Sequence, residues 1–529
     1  MNSSLSDQSA LHARIVETLK STPELWGDIA GSPVQIIETH GATVLLGTEY
    51  AVKIKKPVLF DHMDYSTPAR RKNFCDIELE RNKRTAKDLY IGVFPIFLGA
   101  SGDISLKGTE EPVEYFLKMR RFNAGDRLDE IAATGPLNRD LCLALAEDIA
   151  DLHLHADIIT DKTRIPDYED IIHKNFQQFY DFCPDILLAD QVDEFFERII
   201  ATKKRLEPLI DKQTADGQVR IGHGDLHLQN ICLFGGTPRI FDAIEYQDDF
   251  TISDILYDLV FLTMDLIDKD QHKAASMILN EYVADMGWLS APARFEAMEL
   301  LPFYHALRSG IRCHVAANRA RQCDTPEEQV HFAEKAKELF QIMMDYLSPA
   351  PPRLYAIGGF SGSGKSTLAR ELAAKILPKP GAIILRTDVI RRHLIGADKY
   401  SPMPQSAYTP DMSDQVYSRM RELAGIITKA GSSVILDAVF DRAVDRDRID
   451  TLANNLGVPF QGIWMDVSKE VMFERINART HDASDATAEI LEAQLARSPG
   501  IDTSWLRLSA DGTPAENYKN LRQSLKKLP

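Results

Sequence analysis

The ten residues GGFSGSGKST, Gly358 to Thr367, constrain this chain more than any other stretch. From Gly359 to Ser366 they match G-x-x-x-x-G-K-[ST] without a departure, and the pattern has a physical reason. Gly359, Gly362 and Gly364 let the backbone turn so that its N–H groups, those around Ser363 and Thr367 included, point at phosphate oxygens. Lys365 reaches toward the β- and γ-phosphates, and Ser366 offers a hydroxyl to Mg²⁺. The following helix presents its positive end to the same anion. A chance match in a chain this long has a probability of roughly a few per cent. The apolar strand LYAIGGF before the loop and the helical run after it meet the context that the motif requires. A flexible Gly/Ser linker would need neither.

A chain of 529 residues exceeds one hydrophobic core. The clearest seam is LSPAPPRLYAIGG, where Ser348, Pro349, Pro351 and Pro352 make a short stiff spacer before a fresh strand. The expected domains are therefore 1–349 and 350–529. After the seam, LYAIGGF, AIILRTD, SVILDAVF and FQGIWMDV alternate with helical stretches, the signature of a parallel sheet. Before it, the first 120 residues read mainly as strands around one helix, Pro68 to Leu89. Residues 138–347 read as largely helical, broken by short strands around Val219 to Asp242. The expected fold class is α/β plus α+β: a β-rich small lobe and helical large lobe, then a helix-flanked parallel sheet.

Three features after the glycine loop resemble the P-loop kinases of the polynucleotide, gluconate and zeta-toxin type. ILRTDVIRRHL ends a strand with Asp388, and Arg391 follows one helical turn later. The resemblance implies that Asp388 accepts the proton of an attacking hydroxyl and that Arg391 holds the acceptor; a plain helix cap is the alternative for Asp388. VILDAVF puts Asp437 at a strand end, as a metal contact through water or as a cap. FERINARTHDASDA carries Arg475 and Arg479 on one helical face and resembles the arginine-bearing lid of the same kinases, with solvated helix charges as the alternative.

The stretch HGDLHLQN, His223 to Asn230, places an Asn five residues after an Asp. Catalytic loops of protein kinases use that spacing: Asp225 would accept the hydroxyl proton and Asn230 would hold Mg²⁺. RIFDAIEY adds Asp242 at a strand end suited to metal, and YAVK puts Lys53 on the third strand to grip phosphates. NFCDIELERN supplies Glu78 as its ion-pair partner, or Glu80. Alone each piece is weak, but their order across a β-rich and a helical region is specific. HGD in place of HRD, and FDAIE in place of DFG, resemble the aminoglycoside and choline phosphotransferase branch over about residues 35–345. That resemblance adds Glu245 as a second metal contact. The G-x-G-x-x-G of protein kinases is missing from THGATVLLGTEY. As a whole the chain resembles the bacterial fusion of an aminoglycoside phosphotransferase-like kinase with a P-loop kinase.

Composition narrows the partners. A net charge of −17 disfavours nucleic acid as the main ligand. The N-terminus shows no basic segment followed by an apolar one, and no apolar run reaches membrane-spanning length. ILYDLVFLTMDLI, broken by Asp258 and Asp265, reads as a buried helix. The six scattered cysteines suit thiols in a reducing cytoplasm. Arg308 and Arg312 share a helical face, as an anion site or as partners of the acidic surplus; Arg319 and Arg321 lie on the same helix. The expectation is a cytoplasmic, ATP- and Mg²⁺-dependent kinase with two centres acting on hydroxyls of small molecules. Two alternatives stand beside it: a polynucleotide 5′-end kinase, and a P-loop kinase joined to a non-catalytic recognition domain.

Overall fold

Alternation along YAVKIK sets up the first half of the molecule. Val52 and Ile54 turn into an apolar cluster with Ile15, Leu19, Trp26 and Phe116, which leaves Lys53 and Lys55 together on the opposite face. In this computed structural model the described residues are 5–27, 33–60, 63–397, 399, 401, 403–477, 487–497 and 503–525. Packing divides the chain into two units, Met1–Asp167 with Thr214–Asp265, and Tyr168–Gln213 with Leu266–Pro529.

In the first unit, β1 (Gln35–Glu38), β2 (Ala42–Leu46), β3 (Tyr50–Lys55), β4 (Tyr90–Leu98), β5 (Ile104–Ser105) and β6 (Glu114–Arg120) form one antiparallel sheet. Their order is β1-β2-β3-β6-β4-β5. The expected helix after β3 is α2 (Pro68–Ala86), started by the Thr67 hydroxyl accepting from Arg70 N–H and by Pro68 in the first turn. The expectation of a single helix in this region needs correction. A second one, α1 (Leu5–Lys20), buries Ile15, Val16 and Leu19 against the sheet cluster. Its polar sequence masked an apolar stripe of only a few residues. Beyond α3 (Arg139–His155) lie the strands β7 (Val219–Ile221), β8 (Ile231–Phe234), β9 (Thr237–Ile240) and β10 (Ile252–Asp254). β8 pairs with β9 and β10 with β7, all antiparallel. The helix α4 (Ile255–Asp268) is buried along its apolar faces, as its composition requires.

The second unit carries α5 (His272–Asp285), then α6 (Leu301–Gln322) packed against α7 (Pro326–Tyr346), and after them a five-stranded parallel sheet. Its strands are β11 (Leu354–Gly358), β12 (Ile383–Arg386), β13 (Val434–Asp437), β14 (Phe460–Asp466) and β15 (Leu506–Ser509), in the order β12-β13-β11-β14-β15. The first four are the strands expected from sequence. β15 lies outside the expected strands, since LRLS is short and half exposed. Around the sheet run α8 (Lys365–Ala373), α9 (Thr387–Ile395), α10 (Pro410–Lys429), α11 (Ala443–Leu456), α12 (Lys469–Asn477), α13 (Ala488–Arg497) and α14 (Pro514–Leu525). Tyr355, Ile357, Leu368, Leu372, Ile435, Ile463 and Leu521 form the core. The architecture is a kinase-like domain plus a P-loop kinase domain. Among the described residues no helix is long and apolar enough to cross a membrane.

Packing of β14 against the segment before β15 allows a direct check. A Cβ on Gly462 would fall inside the indole of Trp505, which is itself buried. Gly462→Ala should therefore cost about 1–3 kcal/mol by overpacking. Urea denaturation of the whole protein measures this, and an unchanged midpoint would contradict the packing described.

Candidate active sites

In the first unit the sheet and α2 deliver two lysines to one carboxylate. Lys53 Nζ lies 2.8 Å from Glu78 Oε1 and 2.6 Å from Asp242 Oδ1. Lys55 Nζ lies 2.7 Å from Glu78 Oε2 and also pairs with Glu245. Glu78 is fully buried. Burial pushes its carboxyl up, but the two ammonium groups outweigh that and keep it well below the usual range. Burial likewise acts to lower both lysines, and Asp242, Glu245 and Glu78 more than reverse it. Two cations thus face three carboxylates, a balance that admits a further cation.

Glu78, not Glu80, is therefore the partner of Lys53. Glu245 does not stand free as a metal contact. It is 7% exposed, accepts from Tyr65 Oη at 2.6 Å, and pairs with Lys55. Asn82 on α2 locks the loop behind: its Nδ2 donates to Glu78 C=O at 2.8 Å, and its Oδ1 accepts from Ala243 N–H at 2.9 Å. Arg81 donates to Ile244 C=O and, at 2.7 Å, to Asp248. Asp242 sits in the left-handed region at φ 62, its N–H donating to Tyr90 Oη at 3.2 Å. A non-glycine residue held there is strained, and strain of that kind concentrates at functional sites.

In the HGDLHLQN loop Asp225 and Asn230 come together. Asn230 Nδ2 donates to Asp225 Oδ2 at 2.9 Å and to Asp225 C=O at 3.0 Å. That occupies the amide nitrogen and turns Oδ1 into the atom left for a metal. His227 Nε2 lies 3.2 Å from the same Asp225 oxygen. His223 is buried and its imidazole is lowered, burial outweighing the pull of Asp258 and Asp225. Its Nδ1 accepts from Asp225 N–H at 3.3 Å, so the network assigns the proton to Nε2, which donates to Phe241 C=O at 2.9 Å. The loop thereby ties itself to the residue before Asp242.

Beneath the loop lies Asp258 of α4. It accepts from His223 N–H at 2.8 Å and Gly224 N–H at 2.9 Å, and His153 Nε2 of α3 lies 3.2 Å away. A Cβ on Gly222 would come within 2.5 Å of its Oδ2. Asp265, about two turns on, accepts from Leu228 N–H at 3.0 Å. Neither aspartate was given a role from sequence, although a charge inside an apolar helix was the signal available.

In the second unit the cleft opens at the carboxyl ends of β11, β12 and β13, where ligands bind in open parallel sheets. Its volume is about 1560 Å³, and Lys365, Ser366, Asp388, Arg391, Asp437 and Arg475 all line it. Gly359, Gly362 and Gly364 have φ of +149, +82 and +90, and a Cβ on Gly362 would lie 2.5 Å from Met472 C=O. Other residues could not follow that path. Lys365 Nζ donates to Phe360 C=O at 3.0 Å, and Ser363 is fully buried within the loop. Thr367 follows in the first turn of α8. Ser366 Oγ donates to Asp437 Oδ2 at 2.5 Å, and Arg386 Nε is 3.4 Å from that oxygen. This oxygen-only pair suits Mg²⁺.

Asp388 occupies the first turn of α9, half-buried. Arg391 is 7% exposed; its guanidinium stands 5.1 Å over the Tyr408 ring and its Nη1 donates to Ala407 C=O at 2.6 Å. Arg475 is less free than a mobile lid residue would be. Its Nη2 donates to Ala510, Asp511 and Gly512 carbonyls at 2.9–3.1 Å, and its Nη1 to Ser363 C=O at 3.3 Å. Gln494 of α13 brackets Ser361, accepting from its N–H at 2.9 Å. Arg479 lies outside the described residues. Arg308 is buried in α6, and Arg312 lies 3.7 Å from Asp268. Arg319 and Arg321 stack on Phe332 and Phe182.

Comparison with known proteins agrees with both halves. Residues 106–292 match the model of the phosphotransferase enzyme family, and residues 354–500 match an AAA domain. An uncharacterized protein of Mycobacterium tuberculosis is 30% identical over 481 residues, 89% of this chain and 91% of its own length. The chain belongs to its family. An adenylyl-sulfate kinase of Myxococcus xanthus is 27% identical over 143 residues, 27% of this chain and 70% of that protein. A choline/ethanolamine kinase family protein from Mesorhizobium loti aligns at 14% identity and TM-score 0.37, over 64% of this chain and 99% of its own. A gluconokinase from Sinorhizobium meliloti aligns at 19% identity and TM-score 0.25, over 34% and 93%. The chain is an ATP-dependent kinase with two kinase-type domains, and kinases of these types use ATP with a divalent metal.

The buried aspartate under the HGDLHLQN loop predicts an acid response. Burial raises the Asp258 carboxyl, but hydrogen bonding and charge from His153 and His223 bring it down to about 2. Its unfolded value is about 3.9. The stabilisation, about 2–3 kcal/mol, is complete above pH ~4 and is lost as pH falls toward 2. Asp258→Asn should lower stability at pH 7 and flatten the acid limb between those values. Urea melts at pH 7, 4 and 3 measure it; an unaltered acid limb would remove Asp258 from this role.

Proposed function

We propose that the chain is a bifunctional phosphotransferase whose two centres, in domains 1–349 and 350–529, each move the γ-phosphate of ATP to a hydroxyl of a small molecule. The observation that carries this reading is that in each set some members distant in sequence meet one another directly. In the first, Lys53 meets Glu78 and Asp242 while Asn230 meets Asp225. In the second, Ser366 meets Asp437 beside the glycine cradle. The −17 net charge supports a small acceptor over a nucleic-acid end, and six free cysteines suit a reducing cytoplasm.

Bound ATP and Mg²⁺ would supply the activated phosphoryl group and most of the countercharge. The rest falls to the chain. In the first centre Asp225 takes the acceptor hydroxyl's proton; its side chain is 37% exposed and therefore open to an acceptor. Lys53 meets phosphate charge, Glu78 aims Lys53, and Asn230 with Asp242 offers oxygen ligands. In the second, backbone N–H groups and Lys365 meet the phosphates, Ser366 and Asp437 hold the metal, Asp388 takes the proton and Arg391 faces the acceptor. Arg475, bonded to the loop at 510–512, fixes the nucleotide end of the cleft.

The two activities should separate by single substitutions. Asp225→Asn keeps the shape of the first centre, removes its base, and should cut that transfer by ~10²–10⁴-fold while sparing the other. Lys365→Ala should cripple only the second. A radiolabelled-ATP screen of metabolites and nucleosides with both variants reads this out. If Asp225→Asn changes no transfer and Lys365→Ala abolishes all, the first domain is a recognition domain.

Metal dependence is common to both centres. Transfer should stop in EDTA and return on adding Mg²⁺, because Asn230, Asp242, Ser366 and Asp437 offer only oxygen ligands. Turnover that persists in EDTA would overturn both metal assignments.

A further inference from the structure

Strand β12 is an edge of the parallel sheet, paired with β13 on one side only. An edge strand leaves alternate N–H and C=O groups without a neighbouring strand. Ile383 N–H points inward, to Ser433 C=O at 2.9 Å, so Ile384 N–H points outward. That outward N–H donates to Asn280 Oδ1 of α5 at 2.7 Å, and Asn280 Nδ2 donates to Ala382 C=O at 3.1 Å. One carboxamide therefore gives the edge a donor and an acceptor, as one residue of a further strand would. The same Nδ2 donates to Ser276 C=O at 2.9 Å, which fixes the side chain on its own helix.

Other contacts hold α5 in this place. Gly381, at φ +130, leaves so little room that a Cβ would meet Ser276 Oγ at 3.1 Å. Lys273 pairs with Glu371 at 2.6 Å, and Lys399 pairs with Asp285 at 2.9 Å and Glu281 at 3.3 Å. The segment Pro292–Leu300 packs on α10, and Trp288–Ser290 packs on α9. The clamped strand ends at Arg386, and α9, which carries Asp388 and Arg391, follows without a break.

We propose that Asn280 is a positioning residue of the second phosphotransferase centre: it fixes the edge strand that sets Asp388 and Arg391 in the cleft. This rests on the reading of that cleft as a kinase site. The acceptor side of the second centre is then completed by a helix that precedes the proline seam, and 350–529 alone lacks it. Joining two kinases in one chain thereby gains a structural reason.

The test uses the full-length protein with Asn280→Leu, which keeps the volume without the amide. A milder variant, Asn280→Asp, keeps the acceptor for Ile384 N–H and loses the donor. Hydrogen exchange over residues 383–395 should speed up on the order of tenfold in Asn280→Leu and less in Asn280→Asp. Affinity for a non-hydrolysable ATP analogue should be unchanged, because the glycine loop follows β11, two strands away. For the Lys365-dependent transfer, kcat/KM for the acceptor should fall on the order of tenfold with KM for ATP unmoved. Unchanged exchange at 383–395 in both variants would overturn the proposal. So would equal losses for ATP and acceptor, which would mark a general structural contact. Wild-type protein with no Lys365-dependent transfer would sink the kinase reading of the cleft, and the exchange data would still decide whether Asn280 holds the strand.

Discussion

A carboxylate taken out of water has to be met by donors, and Glu78 is the case from which the first site is built. It is fully buried, and Lys53 and Lys55 take one oxygen each. Leaving either oxygen unpaired would strand a buried charge, which costs several kcal/mol. The lysines are in turn committed to Asp242 and Glu245, two residues of one loop. A strand, the next helix and a loop distant in sequence are thereby fixed by a single carboxylate. Asp258 does the same for the HGDLHLQN loop, and Asp437 ties the glycine loop's serine to the neighbouring strand.

The two centres solve one electrostatic problem with different parts. In the proposed reading the second would meet phosphate with backbone N–H groups on a glycine cradle and a helix end, where the geometry is set by φ angles that favour glycine. The first would rely instead on side-chain charges whose positions are set by ion pairing. Both arrange oxygen ligands beside a cation, the pattern that phosphoryl transfer requires.

Much of this was legible in the sequence, for physical reasons. A glycine loop works only between a strand and a helix, so its motif carried the second fold with it. The Asp225–Asn230 spacing is a local geometry, and the structure closes it with a 2.9 Å hydrogen bond. What stayed hidden depends on tertiary contact. Lys55 shares a strand face with Lys53, and that period-two relation was readable, but its buried partners Tyr65 and Glu245 were not. Asp258 looked like an interruption in an apolar helix because its partners, two backbone N–H groups and His153, lie well away from it in sequence. Asn280 is one polar residue on a helix until the edge of a sheet is laid beside it.

The central claim is that one chain holds two nucleotide sites. Equilibrium titration of the full-length protein with Mg²⁺ and a non-hydrolysable ATP analogue, read calorimetrically, tests it most directly. The account predicts two molecules bound per chain, falling to one in Lys365→Ala. A stoichiometry of one for the unaltered chain, lost entirely in Lys365→Ala, would contradict it.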